Sequence, residues 1–87
     1  MKLKVIVNPN PFTSELAVFI HCHFTMNAVV RLLNNTGIVI RISGCTLSKG
    51  SNKITLENLD RYATGNYLLE VKLLNGDLLE TVGLVKN

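Results

Sequence analysis

The sequence predicts an all-β fold, a seven-stranded antiparallel sandwich of immunoglobulin-like type, and three observations predict it. Apolar residues recur with period two, which in a strand sets one face toward a core. Clusters of Asn, Gly, Ser and Asp return roughly every 8 to 12 residues, the rhythm of short strands joined by tight turns. No segment carries the 3.6-residue apolar repeat of a helix.

In the first strand Leu3, Val5 and Val7 alternate against Lys2 and Lys4. The segment Asn8-Pro9-Asn10-Pro11 ends it, because neither proline can donate a backbone hydrogen bond and each biases the residue before it toward extended backbone. A second strand is expected from Glu15 to Phe24, with Leu16, Val18, Ile20 and Cys22 on one face. The third runs from Ala28 to Leu33, placing Val30 and Leu32 inward and Arg31 outward. Asn34-Asn35-Thr36-Gly37 then makes a hairpin turn into a fourth strand, Ile38 to Ser43. Gly44 and the stretch Ser48-Lys49-Gly50-Ser51 are expected to break it, before a short fifth strand containing Ile54 and Leu56. The sixth, Asn66 to Leu74, turns Tyr67, Leu69, Val71 and Leu73 one way and Leu68, Glu70 and Lys72 the other. Asn75-Gly76-Asp77 joins it to the seventh, Leu78 to Lys86. Leu59, a turn, and then Tyr67 opening a strand match the tyrosine corner of Greek-key sandwiches, in which the hydroxyl bonds to upstream backbone; an ordinary half-buried strand tyrosine fits the same residues.

A chain of 87 residues is one domain, 1–87, able to bury a little over about 60% of its unfolded surface. Hydrophobic residues make up 47% of it, enough for a packed core. The net charge of +3 is spread without a block of like charge. Arg31, Arg41 and Arg61 stand apart and aromatics are few, so the basic stripe with interleaved rings that a nucleic-acid binder needs is missing. No window reaches the roughly 20 apolar residues of a membrane helix, so direct membrane insertion is not expected. The first apolar stretch stops at Asn8, too short for a signal peptide, and export would rest on a longer parent polypeptide.

Catalytic chemistry finds no constellation. Glu15, Glu57, Asp60, Glu70, Asp77 and Glu80 lie on turns and outward strand positions, the pattern of a solvated surface. His21 and His23 share a strand face at a spacing that can chelate zinc, but no third ligand is near, so neither metal nor cofactor is expected. Cys22 falls in the inward phase and Cys45 in the phase of Arg41 and Ser43, which points outward unless Gly44 introduces a bulge, so two free thiols are favoured over a disulfide. Outward Phe19, Val29, Leu33 and Leu68 suggest an apolar outer patch.

Several elements recur in a known order. Pro9-Asn10-Pro11-Phe12 opens the series, followed by a polar turn ending at Gly37 and by Leu47, Gly50 and Asn52. Leu59, Gly65 and Tyr67 come next, and Leu84-Val85-Lys86 closes it. From Asn8 to Asn87 the chain resembles the C-terminal sorting domain of the type IX secretion system of Bacteroidetes. It departs from that pattern at Asn8, where a tyrosine is usual, in the run His21-Cys22-His23-Phe24, and at Asn87 after the lysine.

The resemblance implies a secretion signal and not an enzyme: a fragment of a larger secreted protein, joined in cis to its cargo. Such a domain is read by the outer-membrane translocon after transit through the periplasm and removed by a sortase-like peptidase, leaving cargo at the cell surface or in the medium. It marks Pro9, Asn10, Pro11, Gly65, Tyr67, Gly76, Leu84, Val85 and Lys86 as the recognition residues. Gly65 and Gly76 read as turn formers more than as contacts. The last strand would offer its edge to a partner, or to a second copy, by strand addition. The competing class is an accessory immunoglobulin-like or fibronectin-like binding module of a surface protein.

Overall fold

The computed structural model describes residues 3–87; Lys2, expected to alternate with Leu3, lies outside them. Seven strands are formed: β1 Lys4–Asn8, β2 Leu16–Cys22, β3 Met26–Leu33, β4 Val39–Leu47, β5 Gly50–Leu56, β6 Gly65–Leu73 and β7 Leu78–Lys86. They build two antiparallel sheets, one of three strands in the order β1-β2-β5 and one of four in the order β4-β3-β6-β7. The pairing of β2 with β5, and of β6 with both β3 and β7, is that of an immunoglobulin-like sandwich with its fourth strand beside the third.

The inner faces carry the expected alternation. Leu16, Val18, Ile20 and Cys22 of β2 face Val30 and Leu32 of β3 and Tyr67, Leu69 and Val71 of β6 in one buried cluster. Phe12 and Leu59, both from connecting segments, close its ends. Two hairpins hold the four-stranded sheet. In the first, the Asn34 Oδ1 accepts from the amides of Thr36 and Ile38, each at 3.0 Å. In the second, the Asn75 Oδ1 accepts from the Asp77 amide at 2.9 Å, while Gly76 takes φ 98°, a backbone that a side chain would strain.

Four boundaries differ from expectation by more than a residue, each for a pairing reason. β2 stops at Cys22, because its partner β5 begins at the opposite residue, Gly50; His23 and Phe24 lie beyond the ladder. β3 starts at Met26, since β4 runs far enough to pair it with Leu47. Gly44 does not end β4; it pairs with Val29, and only Ser48 and Lys49 separate β4 from β5. β5 is accordingly longer than the short strand expected around Ile54 and Leu56. Asn52 secures this tight crossing, accepting from the Ser48 amide at 2.9 Å and donating to the Ser48 carbonyl at 2.8 Å.

The phase of β4 is also corrected. A register shift between Leu32 and Leu33 sets Arg41 opposite Leu32 and Val39 opposite Leu33, so Ile40 is the extra residue of a bulge. Beyond the bulge Arg41, Ser43 and Cys45 share the phase of buried Leu47, while Ile42 is 67% exposed. Arg41 reaches across the rim and donates from Nη1 to the Glu57 carbonyl. Cys45 is therefore half-buried against the core and not outward, yet both cysteines are free. The expected apolar patch is divided as well. Val29, Leu33 and Leu68 lie on the outer side of the four-stranded sheet, whereas Phe19 is on β2, in the other sheet.

Candidate recognition surface

The double-proline segment and the last strand meet although the sequence places them at opposite ends. Phe12 donates from its amide to the Val85 carbonyl and accepts from the Asn87 amide, both at 2.9 Å, and forms a parallel bridge with Lys86. Its ring is 1% exposed and meets the Tyr67 ring edge to face, with centroids 5.7 Å apart. Burying such a ring contributes about 2 to 3 kcal/mol, so the segment is anchored and does not merely lie alongside.

Two residues earlier, the Asn10 side chain imitates a strand. Its Oδ1 accepts from the Val85 amide at 3.0 Å and its Nδ2 donates to the Gly83 carbonyl at 3.3 Å. One step further along β7, the Thr81 amide donates to the Glu80 Oε1 at 3.1 Å. Between Thr81 and Asn87 much of the outer edge of β7, the Gly83 carbonyl and the Val85 and Asn87 groups above all, is thus met by the chain's own groups, the usual protection of an exposed strand edge.

Against β7, on its inner edge, Gly65 pairs with Lys86, Asn66 with Val85 and Tyr67 with Leu84. The Tyr67 hydroxyl donates to the Ala63 carbonyl, which makes it a tyrosine corner. Leu84, Tyr67 and Lys86 are buried; the Lys86 stem lies over the core and its Nζ donates to the Asn87 O at 3.5 Å. Exposed at this end are Pro9, Asn10, Pro11, Asn66 and Val85.

Of the nine expected recognition residues, Asn10, Gly65, Tyr67, Leu84, Val85 and Lys86 come together, and Pro9 and Pro11 flank Asn10 in the chain. Gly76 does not join them; it turns the opposite end of the β6–β7 hairpin, a full strand away. Phe12 is the member the sequence reading undervalued. Its signal is an aromatic directly after two prolines.

The order of these elements matches a known pattern. The family described as "Secretion system C-terminal sorting domain" matches residues 6–82. The chain belongs to this family. It is the C-terminal sorting signal of type IX secretion cargo, which directs its protein to the cell surface or the extracellular space. No curated protein matches the sorting domain's sequence. The family match takes in Pro9, Asn10, Pro11, Gly65, Tyr67 and Gly76, and it ends before Leu84, Val85 and Lys86.

Elsewhere on the sorting domain, the rings of His21 and His23 stand edge to face, 5.8 Å between centroids, on the exposed side. Among the described residues no group of three or more His, Cys, Asp or Glu side chains is placed to hold a metal ion. The Cys22 Sγ donates to the Ser48 carbonyl at 3.1 Å and the Cys45 Sγ to the Ala28 carbonyl at 3.6 Å. Burial pushes the Cys45 thiol above the ordinary cysteine value, away from a reactive thiolate.

Proposed function

We propose that the secretion machinery reads the end at which Asn10, Phe12 and β7 are locked together. The domain would be one unit, 1–87, ending a larger exported protein whose cargo is joined to it in cis. Transit through the periplasm brings it to the outer-membrane translocon, and a sortase-like peptidase removes it there. The observation that carries this reading is the convergence of the double-proline segment and the last strand on one surface, bonded side chain to backbone between Asn10 and Val85.

Burial divides the labour. Tyr67, Leu84 and Lys86 keep the fold, because a partner cannot touch a covered side chain; Pro9, Asn10, Pro11 and Val85 are the contacts. Strand addition onto the Val85–Asn87 edge would require expelling Phe12 from the core. A preformed surface therefore suits this end better than an open strand.

The test is a reporter carrying this chain behind an export signal in a type IX-competent bacterium, with Asn10→Ala and Val85→Glu introduced together. Both positions are exposed and Phe12 stays in the core, so a cooperative thermal transition is expected of the purified variant and is checked first, because Asn10→Ala also removes two bonds to β7. Secreted reporter is expected to fall about tenfold, equivalent to a loss of about 1.4 kcal/mol of recognition. Undiminished secretion of the folded double variant would move recognition away from this surface.

A further inference from the structure

The outer face of the three-stranded sheet takes no part in that end, and its chemistry differs from the rest of the molecule. The register aligns Lys4, His21 and Ser51 in one row and Ile6, Phe19 and Lys53 in the next. All six are exposed, because Val5, Val7, Ile20 and Ile54 take the inward positions between them. Lys4, Ile6, Phe19, His21, Ser51 and Asn52 line a shallow groove of about 380 Å³. Lys49, in the turn entering β5, adds a further cation.

None of these lysines has a carboxylate partner. The ion pair among the described residues is Arg31 Nε to Glu70 Oε1, 3.2 Å apart, and it belongs to the other sheet. Glu57 and Asp60 lie past the far end of β5, Glu70, Asp77 and Glu80 are on β6, β7 and their turn, and Glu15, just before β2, lines a neighbouring concavity with Phe19 and Lys53 without pairing to the lysine. Lys4 and Lys53, neither of them paired, thus stand on this sheet face beside an apolar strip.

We propose that this face docks an extended, acidic segment of a partner polypeptide in which carboxylates alternate with apolar side chains. The carboxylates meet Lys4 and Lys53, and the apolar groups lie along Ile6 and Phe19. Charge complementarity selects the acidic partner, and the groove selects a chain over other anions. The Lys53 Nζ stands 5.8 Å from the Phe19 centroid and covers the ring face on which a sugar would stack. Ile6 and Phe19 line a concavity, so a flat anionic membrane would not reach them. Steering by exposed lysines acts within a Debye length of about 8 Å at physiological salt, which makes such docking weak and salt-sensitive. The proposal stands independently of how the Asn10–β7 end is read.

The test titrates a fluorescein-labelled, end-blocked peptide alternating glutamate and leucine with the whole chain at low ionic strength. Amide shifts in the NMR spectrum are expected on Lys4, Ile6, Phe19, His21, Ser51 and Lys53. Binding should weaken about tenfold in the Lys4→Gln/Lys53→Gln variant, the scale of two exposed ion pairs. It should also weaken several-fold in Phe19→Ala. Shifts confined to the four-stranded sheet, or full affinity in either variant, would overturn the proposal. So would tighter binding of dextran sulfate or phosphatidylglycerol vesicles than of the peptide, which would assign the face to a polysaccharide or a membrane.

Discussion

At the scale of single residues, one hydroxyl and one thiol show how this domain uses polar groups. Tyr67 is buried, and its O–H ends on the Ala63 carbonyl, which lies in the segment that turns into β6. Tyr67→Phe keeps the ring against Phe12 but leaves that carbonyl without its donor, so unfolding free energy should drop by about 1 to 2 kcal/mol in urea titrations. A variant as stable as the parent would mean that the corner is held by packing alone. Cys45 behaves differently, because it contributes through its neutral form. Its folded-state value is raised by burial, so the unfolded chain gives up its proton first as pH rises. The thiol's contribution is complete below the unfolded value of about 8.5 and is lost as pH climbs from there through the folded value. Melting temperatures of the parent and of Cys45→Ala, compared from neutral pH upward, should converge in the alkaline range. Parallel curves would show that the thiol does not titrate with folding.

At the scale of elements, β7 is held on both edges, and its last residues are structural before they are anything else. A truncation ending at Val82 removes Leu84 from the core, deletes the partners of Gly65, Asn66 and Tyr67, and uncovers Phe12. Losing one buried leucine costs about 2 to 5 kcal/mol, against a total stability of about 5 to 15 for a small domain. The truncated chain should lose its sharp thermal transition in circular dichroism, so a secretion defect in it would report unfolding and not a lost contact. A truncation that still melts cooperatively would show the end strand to be dispensable for the fold. These bonds also mark the limit of what the sequence discloses. The alternation in β2, β3 and β6, and the turns at Asn34–Gly37 and Asn75–Asp77, are local signals, and the structure follows them. The phase of β4 is not local: it depends on a bulge opposite Leu32 and Leu33 that pattern alone cannot place. Nor is the partnership of Asn10 with Val85, 75 residues apart, in which a side-chain amide stands where a strand backbone would. The residues of the candidate surface, Gly76 apart, stand in the sequence as a motif series, whereas their division into buried and exposed requires the sandwich.

At the scale of the whole molecule, the double-proline segment and the last strand close the sandwich on one side. Chain termini ordinarily open with little free energy and exchange their amide protons quickly. Here the Phe12 and Asn87 amides are bonded within one small circuit, Phe12 to Val85 and Asn87 to Phe12, anchored by a ring that is part of the core. Opening either bond separately leaves that ring seated, while unseating the ring breaks both bonds and exposes the cluster around Tyr67 and Leu84. The circuit should therefore open only with the core. In native-state hydrogen exchange, the Phe12, Val85 and Asn87 amides are expected to slow to within about tenfold of the central β6 amides, a difference of about 1.4 kcal/mol in opening free energy. Exchange at Phe12 and Asn87 orders of magnitude faster than in β6 would show that the strap frays by itself. In that case the β7 edge is intermittently free, and strand addition returns as the way a partner takes hold. Slow, matched exchange would instead make the signal a rigid surface that exists only in the folded domain, so that only a cargo with its sorting domain folded presents it.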